Sequence, residues 1–128
     1  MRQAIMVEGA ARPGGCYSHA VIANGFIYVA GQGPAHPRTG VVPDAFAAQV
    51  RQTLENLQTV LRGTGASLAD VVKVNTYLSD VTRFAEYDAI YREFFPKEPP
   101  ARTTIGCQLK SIMVEIDCVA VAPDGPAR

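Results

Sequence analysis

Between residues 19 and 30 two apolar runs, His19-Ala20-Val21-Ile22-Ala23 and Phe26-Ile27-Tyr28-Val29-Ala30, flank an Asn24-Gly25 pair. Asn and Gly accept positive φ at both central positions of a two-residue turn, so this spacing predicts an antiparallel hairpin. The period then changes. From Asp44 to Arg62 the apolar residues Phe46, Val50, Leu54, Leu57 and Leu61 recur at steps of three or four and share one face of a helix. Asp44 is positioned to cap that helix and Gly63 or Gly65 to stop it. The intervening residues 34–43 carry Pro37 and Gly40 and are expected to form an irregular loop or a small hairpin turning at Thr39-Gly40.

Ser67-Leu68-Ala69-Asp70 has the form of a capping box opening a short turn, and residues 71–78 are rich in β-branched and aromatic side chains, which predicts a further strand. A second amphipathic helix is expected over residues 81–95, with Phe84, Tyr87, Tyr91 and Phe94 on one stripe and Pro96, Pro99 and Pro100 ending it. That stripe reads as core rather than as a binding surface. Residues 101–107 and 112–122 read as the last two strands, and residues 3–7 as a weak first one. Strand-helix-strand repeats require crossovers and hence some parallel pairing, whereas hairpins add antiparallel pairs. The expected fold is α/β or α+β: one domain over residues 1–128, a mixed sheet, and both helices on one face.

Strand alternation changes this picture in one respect. In the last strand Ile112, Val114, Ile116, Cys118 and Ala120 point one way, leaving Met113, Glu115, Asp117, Val119 and Val121 on a second face that is also partly apolar. Tyr77 adds to it. Two helices cover only one face, so the pattern predicts a homo-oligomer that buries the other.

Composition narrows the function. Twelve basic and twelve acidic residues cancel, and no segment concentrates Lys and Arg, so the footprint of a nucleic-acid or membrane-surface binder is missing and a ribonuclease reading is disfavoured. No run reaches the roughly 18 apolar residues of a membrane span, and the first residues lack a signal-like apolar stretch, so a cytoplasmic protein is expected. Cys16, Cys107 and Cys118 have no metal-binding or redox spacing and read as reduced thiols. Gly31-Gln32-Gly33-Pro34 begins like a dinucleotide fingerprint, but Pro34 and a loop replace the helix that would hold a pyrophosphate. His19 and His36 stand apart and read as packing or surface residues.

Two charges fall on predicted strands, Arg102 after Pro99-Pro100-Ala101 and Glu115 in the middle of the last strand. A strand charge is costly unless paired or facing a cleft. Either these two form a structural ion pair across neighbouring strands, or they line a site.

Gly15-Cys16-Tyr17-Ser18-His19-Ala20, Ala30-Gly31-Gln32, Thr39-Gly40, Gln52-Thr53-Leu54-Glu55-Asn56-Leu57, Asp70-Val71-Val72-Lys73, Pro100-Ala101-Arg102-Thr103 and Val114-Glu115-Ile116-Asp117 occur in this order over nearly the whole chain. Together they resemble the successive signatures of the RidA/YjgF family. The resemblance implies a chorismate-mutase-like fold and a homotrimer around a central barrel, with active sites in the clefts between subunits. It also implies a cofactor-free, metal-free deaminase that hydrolyses 2-iminobutanoate and 2-iminopropanoate to the 2-oxo acid and ammonia. Arg102 would then grip the substrate carboxylate, Glu115 position or deprotonate the attacking water, Tyr17 offer a phenol hydrogen bond across subunits, and Gly31 bring backbone close to the ligand. Thr104, Ala30 and Asp88 stand where many members have cysteine or serine, serine, and asparagine. If these three positions line the pocket, substrate choice changes while the Arg102/Glu115 chemistry survives. The alternatives are another enamine acid, of the aminoacrylate or 2-aminomuconate type, and a non-catalytic ligand-binding regulator.

Overall fold

The computed structural model describes residues 1–123; the last five residues of the predicted domain lie outside the described residues. Six strands, β1 (Gln3–Ile5), β2 (Ala20–Ala23), β3 (Phe26–Gln32), β4 (Val71–Leu78), β5 (Ala101–Gly106) and β6 (Val114–Val121), form one sheet with helices α1 (Phe46–Gly63) and α2 (Phe84–Phe94). The strand order is β1-β2-β3-β6-β4-β5. The β2–β3 turn has Asn24 at φ 52° and Gly25 at φ 82°, the conformation that the Asn-Gly pair predicts. Among the described residues only β4 and β5 pair in parallel, through the crossover that contains α2, and the sheet is mixed as expected.

The core lies between the helices and one face of the sheet. Val50, Leu54, Leu57 and Leu61 of α1 are fully buried against Ile27, Val74, Ile116 and Ala120, each large aliphatic side chain contributing roughly 1.5–3 kcal/mol of transfer free energy. Three polar residues share the buried side of α1. Gln49 donates to the Pro43 carbonyl at 2.8 Å and accepts from the Met113 N–H at 2.9 Å. Asn56 donates to the carbonyls of Gly33 and Ala35, both at 2.8 Å. Thr53 lies between them, buried as they are. Gln49 and Asn56 thus hold the irregular segment 33–43 and the approach to β6 onto one helix.

Two expected boundaries shift. Asp44 does not cap α1: the cap position falls at Ala45, without a side-chain hydrogen bond, and Asp44 lies one residue too early to reach the first free N–H groups. The second helix opens as a 3₁₀ turn, Val81–Arg83, capped by Asp80, whose carboxylate accepts from the Thr82 N–H. The Ser67–Asp70 capping box forms as read, with the Asp70 carboxylate accepting from the Ser67 N–H at 2.9 Å.

The connection between the last two strands crosses the end of β4. Cys107 N–H donates to the Leu78 carbonyl and Ser79 N–H to the Met113 carbonyl, so β5 and β6 lie on opposite sides of β4 and are not neighbours.

Candidate active site

That crossing decides where the two strand charges go. Arg102 pairs in register with Val74, which is fully buried on the helix face, while Glu115 pairs with Tyr77 on the open face. The expected alternative of an Arg102–Glu115 ion pair across neighbouring strands is therefore corrected: β4 lies between them, and the two side chains leave the sheet in opposite directions.

Arg102 has a different set of partners. Its guanidinium carbon lies 4.4 Å from the ring centroid of Tyr91 and 5.3 Å from those of Phe84 and Tyr87. Cation–π attraction of this kind strengthens when the cation is desolvated. Asp88 Oδ1 stands 2.9 Å from Arg102 Nη2, and Asp88 Oδ2 stands 3.1 Å from Nη2 of the exposed Arg92. Of the aromatic stripe Tyr87 and Tyr91 are core, as expected, whereas Phe84 is exposed and Phe94 half-buried; the stripe is also the seat of a half-buried cation. Burial pushes the Tyr91 phenol well above its usual range, so it stays neutral beneath the guanidinium. A cleft of about 550 Å³ opens here, lined among others by Asp88, Tyr91, Arg92, Pro99, Pro100 and Arg102. Thr104, two residues along β5 on the same face, has a buried hydroxyl without a hydrogen-bond partner among the described residues.

On the open face a β-bulge between Val29 and Gln32 brings Gly31 against Glu115. A Cβ at Gly31 would come within 2.5 Å of Glu115 Oε2, so glycine is required there for close approach rather than for turn geometry. Burial, and next the neighbouring charge of Asp117, push the Glu115 carboxyl above its usual range. Asp117 itself accepts from Asn75 Nδ2 and from the Tyr77 hydroxyl, each at 2.9 Å. Tyr17 lines a small hollow with Gly31, Gln32 and Pro34. Its oxygen accepts from the Gly14 N–H at 2.9 Å, which leaves its own O–H free to donate.

The predicted residues therefore fall into two groups. Arg102, Asp88 and Thr104 lie on the helix side, and Tyr17, Gly31 and Glu115 on the open side. Sequence reasoning left out Arg92 and the aromatic seat of Arg102. A signal for both was present, since Asp88 and Arg92 are spaced i, i+4 on α2 and an Arg on a strand requires a counter-charge. Neither histidine joins the groups. His19 is buried, accepting from the Val7 N–H at Nδ1 and donating from Nε2 to the Ala11 carbonyl, both at 2.8 Å, and His36 accepts from the N–H groups of Arg38 and Thr39. Cys118, in the core, has its thiol pushed up to about 12 by burial and, to a lesser extent, by Asp117.

A profile of the endoribonuclease L-PSP family matches residues 8–122. A RutC family protein from Pyrococcus horikoshii is 39% identical over 123 residues, spanning 94% of this chain and 98% of the relative. The chain belongs to the RidA/YjgF/RutC family. Among solved structures of this family, the YjgF gene product from E. coli superposes with a TM-score of 0.88 at 32% identity, covering 94% of this chain and 99% of the other. RidA from an Antarctic Psychrobacter gives 0.89 at 31% identity, with 93% and 98% covered. The mixed six-stranded sheet with two helices is thus the RidA/YjgF/RutC arrangement. Among the described residues no group of three or more His, Cys, Asp and Glu is placed to hold a metal ion.

Proposed function

We propose that the protein hydrolyses 2-imino acids such as 2-iminobutanoate and 2-iminopropanoate, as a homotrimer whose sites combine the helix-side group of one subunit with the open-face group of the next. The observation that carries this reading is Arg102. Its guanidinium is fixed on three aromatic rings at a cleft, and Asp88 contacts only one of its nitrogens, which leaves donors of its planar fork for a substrate carboxylate. Arg102 fixes the carboxylate and hence the adjacent C=N carbon. Glu115 of the neighbouring subunit accepts a proton from water as the oxygen adds to that carbon. Glu115 passes that proton, and then the proton of the resulting hydroxyl, to nitrogen; the C–N bond breaks as the C=O bond forms, and ammonia and the 2-oxo acid leave. A carboxyl held above its usual range suits this exchange, because it can give back the proton that it takes. Tyr17 donates its O–H from the same side. The apolar open face, on which Phe26, Tyr28, Ile105 and Val121 are exposed, supplies the surface for subunit contact. No cofactor has a part in these steps, and a cytoplasmic setting is consistent with the reduced thiols.

One observation favours a larger enamine acid, such as the 2-aminomuconate type. Arg92, at the rim of the cleft, offers a second cation that the second carboxylate of such an acid would meet. The first reading is tested by generating 2-iminobutanoate with a threonine dehydratase and following 2-oxobutanoate release with the intact protein, with Arg102→Ala and without protein. Acceleration that Arg102→Ala abolishes is the expected outcome. If the intact protein gives no acceleration, the four-carbon imine is excluded, leaving another enamine acid or a binding-only role.

A further inference from the structure

Asp88 is an unusual neighbour for a carboxylate anchor. It stands 2.9 Å from Arg102, and the two side chains retain only 20% and 19% of their exposure, so solvent screens their charges weakly. Arg92 meets the far oxygen of Asp88 from the solvent side, but it is 77% exposed and water screens that pair strongly, so Asp88 keeps its negative charge toward the cleft. A guanidinium has five N–H donors and Asp88 contacts one nitrogen, so a ligand carboxylate can still seat on the fork. It then sits beside a second negative charge on the same cation. Like charges at such a site oppose each other, whereas a cation on the ligand next to its carboxylate is drawn to Asp88.

We propose that Asp88 is a specificity-determining residue which, together with Arg102, reads a carboxylate flanked by a protonated nitrogen, and so favours the iminium form of a 2-imino acid, or a 2-amino acid, over the 2-oxo acid. The inference rests on Arg102 being the carboxylate anchor. It gives the cleft a direction: substrate enters carrying adjacent opposite charges, and once the C–N bond has broken the product is an anion only, which Asp88 disfavours. The iminium is also the form whose carbon accepts water most readily, so the group that selects the ligand selects its reactive state.

The test uses two stable probes, 2-aminobutanoate and 2-oxobutanoate, titrated by chemical-shift perturbation into the intact protein, Asp88→Asn and Arg102→Ala. Asp88→Asn, nearly isosteric, should weaken 2-aminobutanoate about tenfold and tighten 2-oxobutanoate about tenfold, each a change of one decade in dissociation constant. Opposite shifts cannot come from a misfolded variant, which would weaken both. If both probes move in the same direction, or neither moves, Asp88 does not discriminate and the proposal fails. Arg102→Ala separates the two ideas. Loss of both probes supports the anchor, whereas retention of both removes the anchor itself, whatever Asp88→Asn does.

Discussion

At Gly31 the missing side chain is what gives the Glu115 carboxylate its room. The carboxylate of Glu115 occupies the space that a Cβ would take. Gly31→Ala is therefore expected to displace that carboxylate, lowering kcat/KM by about a hundredfold, the usual cost of misplacing a reacting group by an ångström, while the thermal midpoint changes little. In the proposed mechanism Glu115 also ties activity to pH. Its carboxyl is raised by burial and then by Asp117, so it keeps its proton to a higher pH than an ordinary glutamate and acts as a base only above that point. The acid limb of the rate profile should lie correspondingly high, and Asp117→Asn should move it to lower pH. The sign for stability is opposite to that of a salt-bridged carboxylate. The folded state holds this proton more tightly than the unfolded chain, so the contribution is full below the unfolded pKa and is lost as pH rises through the folded one. Glu115→Gln should therefore raise the thermal midpoint at neutral pH while abolishing turnover, a combination that differential scanning calorimetry and the imine assay would reveal together.

Among the elements, the N-terminal segment depends most on one side chain. His19 bridges the backbone of Val7 and Ala11 with both ring nitrogens, and His19→Ala removes both bonds along with a buried ring. A loss of about 2 kcal/mol is expected at about 1 kcal/mol per hydrogen bond, measured by urea unfolding, together with faster proteolysis within residues 1–18. Helices and strands were legible in the sequence because their periods are strong: the five apolar residues of α1 and the alternation in β6 each describe a face that the structure buries. The Asn24-Gly25 turn and the Ser67–Asp70 box were legible because each has a specific backbone chemistry. The order of β5 and β6 was not, because a short connection normally implies adjacent strands and nothing local shows that it crosses the end of β4. The pairing of Arg102 with Asp88 depends on that same long-range arrangement. The buried Gln49, Thr53 and Asn56 could have been read, since they repeat at helical spacing beside the apolar stripe of α1.

At the scale of the whole molecule, one chain presents two groups of candidate site residues on opposite faces of a sheet. If neighbouring subunits complete each other, two inactive variants should rescue one another. Arg102→Ala and Glu115→Gln, each without turnover alone, are expected to recover about a quarter of the intact rate once mixed and allowed to exchange subunits, because a random cyclic trimer places an intact Arg102 beside an intact Glu115 at that frequency. No recovery, with exchange verified by native mass spectrometry, would place both residues' work within one chain or outside the reaction. Charging the open face, for example by Tyr28→Glu, should shift sedimentation toward monomer and remove activity without altering the pairing of Arg102 with Asp88.

Cys118 has a consequence of a different kind. It lies in register between Val29 and Val74, at the centre of the sheet, whereas Cys16 is exposed. A thiol-reactive dye should modify Cys16 at once, the half-buried Cys107 next, and Cys118 last, only when the central strands separate, since neither a protonated nor an enclosed sulfur reacts. The protein thus carries its own clock for global opening, and the slow labelling step would show how often the sheet comes apart under conditions in which every bulk probe reports it intact.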